Sequence, residues 1–574
     1  MTKLPIMLAF AALSPLSVSA VERPNVVLVI TDDQGYGDLA CHGNPIIKTP
    51  NLDSLYADSV RLTDFHVSPL CTPTRAALMT GQHECRVGAW GTTWGRSLPR
   101  RDAPMMAEAF SASGYRTGCF GKWHLGDNYP YRPQDRGFKE VLVHGGGGVG
   151  QTPDYWGNDY FDDTYFRGGK PEKHDGYCTD VWFDAAMAFI TENRDQRFFC
   201  YLSTNAPHGP YLVGDEYSKP YREQGVPASQ AAFWGMITNI DENVARLREH
   251  LRKLDLEEDT ILIFMTDNGT SAGAQGPTGF NAGMRGQKGS LFEGGHRVPC
   301  FVRWPAGSLT GGRDIEQLTA HVDLLPTLIH LCGLNRLDNF HAEGMSIAPL
   351  LRGEANDWPD RTIFLQYRQS TDPPVKGNAA VMTERWRLIS GKALFDIDAD
   401  PGQRNDVAAE HPELVERLLG EYDRWWAGVS ERFGDACPIV LGSDDENPTQ
   451  LTGFDWHTKT PWNQGHVRAG AQMNGFWAVE IAEEGEYEIA LRRWPKEVDA
   501  PITSAAPGGK AVPATTARLR IGDLELTKPV GKEDRAIVLR TRLKPGKTTL
   551  QTWFVDEESG QSRGAYYVYV TRKP

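Results

Sequence analysis

Two aspartates, Asp32 and Asp33, follow the apolar run Asn25 to Ile30, and a second such run, Thr260 to Met265, leads through Thr266 to Asp267 and Asn268. Three carboxylates and one amide oxygen make a hard, oxygen-only donor set. Such a set suits calcium, with magnesium the other ion it accepts, and does not suit zinc. Both runs are rich in β-branched residues and lack alternation, which predicts strands buried on both faces of a parallel sheet. Sheets of that kind carry their sites beyond the carboxyl ends of the strands.

Cys71-Thr72-Pro73-Thr74-Arg75 leads into Ala76 to Gly81. Proline is favoured at the first position of a helix and threonine as its cap, so a helix is predicted from Pro73 with Thr72 capping it. Cys71 then stands just before a helix N-terminus, where free N–H groups and the helix dipole favour an anion. Arg75 returns toward the same spot. In Gly121-Lys122-Trp123-His124-Leu125-Gly126 the two basic side chains are two apart and share a face of an extended segment. Asn205-Ala-Pro-His208 follows a predicted strand at Phe198 to Leu202, and Lys288-Gly-Ser290 precedes Phe292 to Pro299. Singly, each is as well explained by packing or by a solvated surface. The ordered set is what carries chemistry.

The elements that must position these residues read as an α/β domain over about 21–360. Helices are expected at Asn51 to Ala57 and over Trp234 to Lys253. A Gly- and aromatic-rich stretch, His144 to His174, reads as loop shaping a pocket. Trp90, Trp94, Trp156, Tyr160 and Tyr165 are candidates for stacking on a sugar or aryl ring, and Arg86, Arg96 and His174 for a neighbouring anion. Short strands (Ile363 to Gln366, Ala380 to Ile389, Ala393 to Ile397) and a helix from Pro412 to Val429 suggest a smaller α+β subdomain over 361–430. Residues 431–452 read as a linker. Beyond it, 453–574 carries short strands separated by turn residues, the signature of a β-sandwich-like accessory domain. Trp456, Trp462, Trp477, Trp494 and Trp553 are candidates there for a carbohydrate-binding face. With no chemical motif in it, this module is expected to govern substrate access more than chemistry.

The 574 residues hold 60 Lys plus Arg against 74 Asp plus Glu, a formal charge of −14. That balance argues against a nucleic-acid partner but leaves room for a local cationic pocket. Residues 1–20, with Lys3, an apolar middle and Val18-Ser19-Ala20, have the form of a signal peptide, so a periplasmic or secreted location is expected. No other apolar run reaches the length of a membrane span. Nine cysteines leave room for one or two bridges, and their odd number leaves at least one unpaired or altered. Cys71 is the candidate.

Taken together, these motifs resemble the formylglycine-dependent sulfatases of the alkaline-phosphatase-like superfamily, over roughly residues 23–430. The decisive match is Cys71-Thr-Pro-Thr-Arg75 continuing to Leu78-Met-Thr-Gly81. Gly114 to Gly126, Asp32-Asp33-Gln34, Asn205 to His208, Thr266 to Gly269, Lys288, His321 to Thr327, Leu394 to Pro401 and Asn405 follow in order. The resemblance implies an alkaline-phosphatase-like, mostly parallel central sheet with flanking helices. It implies a metal, expected to be one calcium ion, on Asp32, Asp33, Asp267 and Asn268. It further implies that a separate maturation enzyme converts Cys71 to Cα-formylglycine, and that Arg75, Lys122, His124, His208 and Lys288 complete a sulfate pocket. The implied substrate is a sulfated glycan or an aryl sulfate. Two other readings stay open: a phosphatase or phosphodiesterase of the same superfamily, and a non-catalytic glycan-binding protein on that fold.

Overall fold

The computed structural model describes residues 23–574 apart from Asn339, Asn356 and Pro507; the expected signal peptide lies outside the described residues. The catalytic part is built on a ten-stranded mixed sheet. Its order is Asp314–Ile315, Val60–Leu62, Cys300–Arg303, Thr260–Thr266, Asn25–Thr31, Phe198–Ser203, Arg116–Gly121, Glu140–Val143, Thr164–Arg167 and Lys170–Lys173. The five strands from Thr260–Thr266 to Glu140–Val143 run parallel.

The non-alternating strands are buried on both sides, as expected. Val26, Leu28 and Ile30 face one core, shared with helices Met106–Ala112 and Leu324–Cys332. Val27 and Val29 face a second core, shared with helices Cys178–Glu192 and Ala228–Lys253. Each fully buried aliphatic side chain of this kind stabilises the fold by roughly 1.5–3 kcal/mol, so both sheet faces need their helical cover. All nine cysteines are free. The one or two bridges the count leaves room for are not formed, and the odd count therefore does not single out Cys71.

The second unit is a four-stranded antiparallel sheet, Ile363–Gln366, Ala379–Met382, Trp386–Ile389 and Ala393–Asp396. The single strand expected over 380–389 is a hairpin, because its two halves pair with each other through the turn at Thr383. One face packs on helix Pro412–Ser430 through Val381, Leu388, Leu418 and Tyr422. The other packs on the catalytic part through Ala380, Met382 and Ala77. Arg387, fully buried, holds Asp64 and Glu293 across this boundary.

Two further sheets form the C-terminal β-module. One has the order Ile439–Leu441, Phe476–Ile481, Gly546–Val555, Thr516–Ile521, Leu524–Pro529; the other Thr449–Thr452, Tyr567–Arg572, Gly485–Arg492, Ile537–Leu543. Apolar residues of both share one core, the arrangement of a sandwich. Strands Ile439–Leu441 and Thr449–Thr452 lie inside the stretch read as a linker, so the module's sheets begin before residue 453. Three of its proposed sugar-binding tryptophans, Trp456, Trp477 and Trp494, are fully buried core residues. Trp553 lies under Arg520, and only Trp462 is well exposed.

The module is joined closely to the catalytic part. Leu98 and Tyr131 sit in its core, Tyr567 Oη donates to Thr152 O at 3.1 Å, and Glu446 accepts from Tyr129 N at 3.0 Å. Asp455 lies buried near Asp127, and burial first, then Asp127, push its carboxyl up to about 8. Below the ordinary value near 4, folded and unfolded chains both hold this proton. Between about 4 and 8 only the folded chain holds it, so the group's contribution to stability falls as pH rises. Asp455→Asn is expected to flatten the fall in melting temperature between pH 5 and 8. An unchanged slope contradicts the assignment.

Candidate active site

The register of the central strands assembles the site. Thr31 pairs with Thr266, so the residues that follow, Asp32-Asp33 and Asp267-Asn268, emerge side by side. Asp33 N donates to Asp267 Oδ1 at 3.0 Å and Asn268 Nδ2 to Asp33 Oδ1 at 2.9 Å. Asp33 reaches this geometry at φ +67, a conformation rare outside glycine.

The helix carrying Cys71 begins at Cys71 itself and runs to Thr80, with Leu70 as an N-cap that makes no side-chain bond. Pro73 is therefore in the first turn, not at its start. Thr72 does not cap the helix: its hydroxyl donates to His124 O at 3.2 Å. The Cys71 sulfur and oxygens of Asp32 and Asp267 all lie within 4.8 Å of one another. Arg75, one turn on, donates from Nε (3.1 Å) and Nη2 (2.7 Å) to Asp267 Oδ2, and also to Ser203 Oγ.

Lys122 and His124 follow strand Arg116–Gly121. Gly121, at φ +101, lies against Ser203 O so closely that a Cβ would sit 1.9 Å from it, and only glycine permits the turn. Lys122 Nζ then donates to Asp32 Oδ2 at 2.5 Å. Lys288 Nζ donates to Asp33 Oδ1 at 2.5 Å, held in place by Gly289 N on Pro69 O. His208 Nε2 stands 3.8 Å from Asp33 Oδ2, while its Nδ1 meets Gly209 O. His124 Nε2 is 2.9 Å from Thr92 O. The ten residues proposed as catalytic or metal-binding therefore converge on one place.

Three buried carboxylates thus face Arg75, Lys122 and Lys288. Burial pushes Asp32 well above the ordinary carboxylate range, only partly offset by Lys122. Burial also raises Asp33, but Lys288 and His208 overcome it and hold that carboxyl below its usual range. Burial lowers His208 to about 4 and His124 well below the ordinary imidazole value. The Cys71 thiol is pushed up, by burial first. A thiol kept protonated is a weaker nucleophile than a thiolate.

Of the aromatic residues proposed for stacking, Trp90, Tyr160 and Tyr165 are buried, and Trp156 packs edge-on against Trp494 with Arg468 over it. Trp94 is half-buried. The proposed anion contacts are engaged elsewhere: Arg86 with Glu343, Arg96 over Trp90, His174 with Glu172. Part of the expected 144–174 loop is a hairpin, Thr164–Arg167 with Lys170–Lys173. Its glycine-rich start does border the site, with Gly147 against the His124 ring and Gly148 beside His208. Ser203 and Thr92 were missed, since a lone serine at a strand end and a backbone carbonyl leave no mark in the sequence.

The sulfatase family profile matches residues 24–334, more than half of the chain. The chain belongs to the sulfatase family. A second match, to the C-terminal region of N-sulphoglucosamine sulphohydrolase, covers residues 286–421. This sulfatase is 31% identical to human arylsulfatase A over 76% of its own length and 88% of the relative's. It is 30% identical to human N-acetylgalactosamine-6-sulfatase, over 70% and 85%. Among solved structures it superposes on Ps i-CgsB with a TM-score of 0.64 and 29% identity, covering 70% of this chain and 93% of that one. The reaction class is therefore sulfuric ester hydrolysis. The fold is α/β, with the C-terminal sheets appended. Among the described residues no helix is long and apolar enough to cross a membrane.

Proposed function

We propose that this chain releases sulfate from sulfated carbohydrates, using Cys71 after its oxidation to formylglycine by a separate maturation enzyme, and one calcium ion. The observation that carries the reading is the meeting of Cys71 with Asp32 and Asp267 beneath three cations. The donor set fits a hard metal: Asp32 Oδ1 and Asn268 Oδ1 are buried and have no hydrogen-bond partner, a costly state unless an ion satisfies them. Asp32, Asp33, Asp267 and Asn268 would hold it, and magnesium fits the same oxygens. When bound, the ion offsets the carboxylate charge and polarises oxygen. The hydrated formylglycine supplies one hydroxyl to attack sulfur and a second whose deprotonation lets sulfate go; a serine has only the first.

Arg75, Lys122 and Lys288 bind and neutralise the sulfuryl oxygens, charge stabilisation by groups already oriented in a dry site. His208 is the general acid, with Lys288 assisting: Gly209 O holds the proton of its Nδ1, so it protonates the leaving oxygen from Nε2 only as the imidazolium, the form that Asp33 at 3.8 Å favours. His124 takes the second hydroxyl's proton at Nδ1. Water enters to restore the hydrate, so one ester and one water yield one alcohol and one hydrogen sulfate. Export to the periplasm or outside the cell belongs to the same proposal.

The preference for carbohydrate rests on relatives: N-acetylgalactosamine-6-sulfatase by name, and Ps i-CgsB, solved in complex with k-i-k-neocarrahexaose. Aryl sulfates are expected as small surrogate substrates. The phosphatase reading needs histidine and aspartate ligands for a second metal, yet Lys122 and Lys288 occupy the space beside Asp32 and Asp33. A panel of sulfated mono- and oligosaccharides with 4-nitrocatechol sulfate, scored by inorganic sulfate, tests the proposal. Sulfate release from at least one saccharide is expected. Release of phosphate from phosphate esters with no sulfate release from any ester overturns it, and binding without turnover favours a glycan-binding protein.

A further inference from the structure

We propose that the C-terminal β-module positions His124 for catalysis, through the loop Gly91–Arg96. This goes beyond the expectation that the module governs access more than chemistry. The inference rests on the reading of His124 as the base.

A carbonyl only accepts, so the 2.9 Å contact of His124 Nε2 with Thr92 O places the proton on Nε2. The lone pair is then on Nδ1, which is buried and has no hydrogen-bond partner. Which nitrogen carries the proton is set by the bond the other ring atom makes, and here Thr92 makes it. On another side the ring meets Gly147, where a Cβ would lie 2.2 Å from Cε1.

Thr92 belongs to no strand or helix. Its loop closes on itself through Arg96 N to Thr93 O and Gly91 N to Arg96 O, both 3.0 Å. Its remaining support comes from outside. Gln369 of the four-stranded unit receives Thr92 N and donates to Thr92 Oγ1. Arg96 Nη1 donates to Asp435 O at 3.4 Å, and from the module Phe454 O accepts from Trp94 N at 3.3 Å. His457 packs against Gly95 so closely that a Cβ there would sit 2.4 Å from its Nε2. The buried Phe454 ring lies 6.2 Å from the His124 ring, centroid to centroid. Both module residues are themselves fixed, Phe454 by the neighbouring Gly453 N on Tyr566 O at 2.7 Å and His457 by stacking on Phe476 at 5.2 Å. Phe454 is a positioning residue: its ring packs beside the His124 ring, and without that bulk the imidazole can turn off the Thr92 carbonyl and divide between its two tautomers.

The test combines nitrogen-15 NMR of the full chain, with the His124 signal assigned by its loss in His124→Asn, and kinetics on 4-nitrocatechol sulfate. The wild-type protein is expected to show His124 protonated on Nε2 alone. Phe454→Ala should show mixed tautomers and a kcat lower by about tenfold, with KM within about twofold, since part of a general base's contribution is lost. Phe454→Leu should restore both. Leu539→Ala, in the core of the module, should lower the melting temperature and leave the tautomer and kcat alone. If Phe454→Ala does not fold, His457→Ala replaces it. A pure Nε2–H tautomer with wild-type kcat in the alanine variant overturns the inference, as does an equal loss in Leu539→Ala. A wild-type protein inactive on every sulfate ester, but with the tautomer shift intact, refutes the catalytic reading and leaves the positioning.

Discussion

Asp267→Ala is expected to lower kcat by roughly 10^3-fold, because one buried carboxylate serves three neighbours at once. Its Oδ1 accepts from Asp33 N, its Oδ2 takes both bonds from Arg75, and both Asp267 and Arg75 are fully buried. Removing it leaves the Arg75 guanidinium unpaired in the interior, a loss of about 3–5 kcal/mol of stability, and takes one oxygen from the proposed calcium site. The same preparation should therefore melt lower and retain less calcium on elemental analysis. Asp267→Asn keeps one oxygen near Arg75 and should be less damaged in stability than in rate. A variant with its calcium and its rate intact contradicts the ligand assignment, and two zinc ions in the wild-type protein revive the phosphatase reading.

Cys71→Ser should be nearly as damaging to turnover and nearly harmless to the fold. Residue 71 opens its helix without capping it, since Leu70 holds the cap position, and serine is a close match in size. A change in stability within about 1 kcal/mol is expected. Made in a host that converts only cysteine, the variant should keep its metal, bind sulfate esters, and lose turnover by about 10^3-fold or more. A serine hydroxyl can take a sulfuryl group once, but it has no second hydroxyl to drive release. Calorimetry with a sulfate ester separates intact binding from lost turnover; a variant with wild-type kcat removes the case for the aldehyde.

The catalytic half was legible because its chemistry sits at strand ends. An apolar run that leads to Asp32-Asp33, and another that leads to Asp267-Asn268, announce both the strand and the proposed ligands, and the parallel register of Thr31 with Thr266 does the rest. The helix at Cys71 was legible in existence but not in phase. Pro73 is tolerated anywhere in a first turn, where no N–H bond is lost, so it marked the turn without marking the start. The tryptophans of the β-module misled for a related reason: aromatic content signals a large apolar area but not which side of a sandwich it faces. Trp456, Trp477 and Trp494 form the core instead. The linker reading failed because Ile439–Leu441 and Thr449–Thr452 are short strands among polar residues, and their strand character comes from pairing with Phe476–Ile481 and Tyr567–Arg572. Least legible was the contact between module and site, since Thr92 acts through a carbonyl and Phe454 through bulk.

The central claim is that a modified Cys71 does the work, and the mass of the residue-71 peptide tests it most directly. Protein expressed with and without the maturation enzyme, in graded proportions, should yield that peptide partly as cysteine and partly as the lighter, hydrazine-reactive aldehyde. Sulfatase activity is expected to be proportional to the aldehyde fraction and to fall to background when that fraction is zero. Full activity in protein whose Cys71 is wholly unmodified would contradict it.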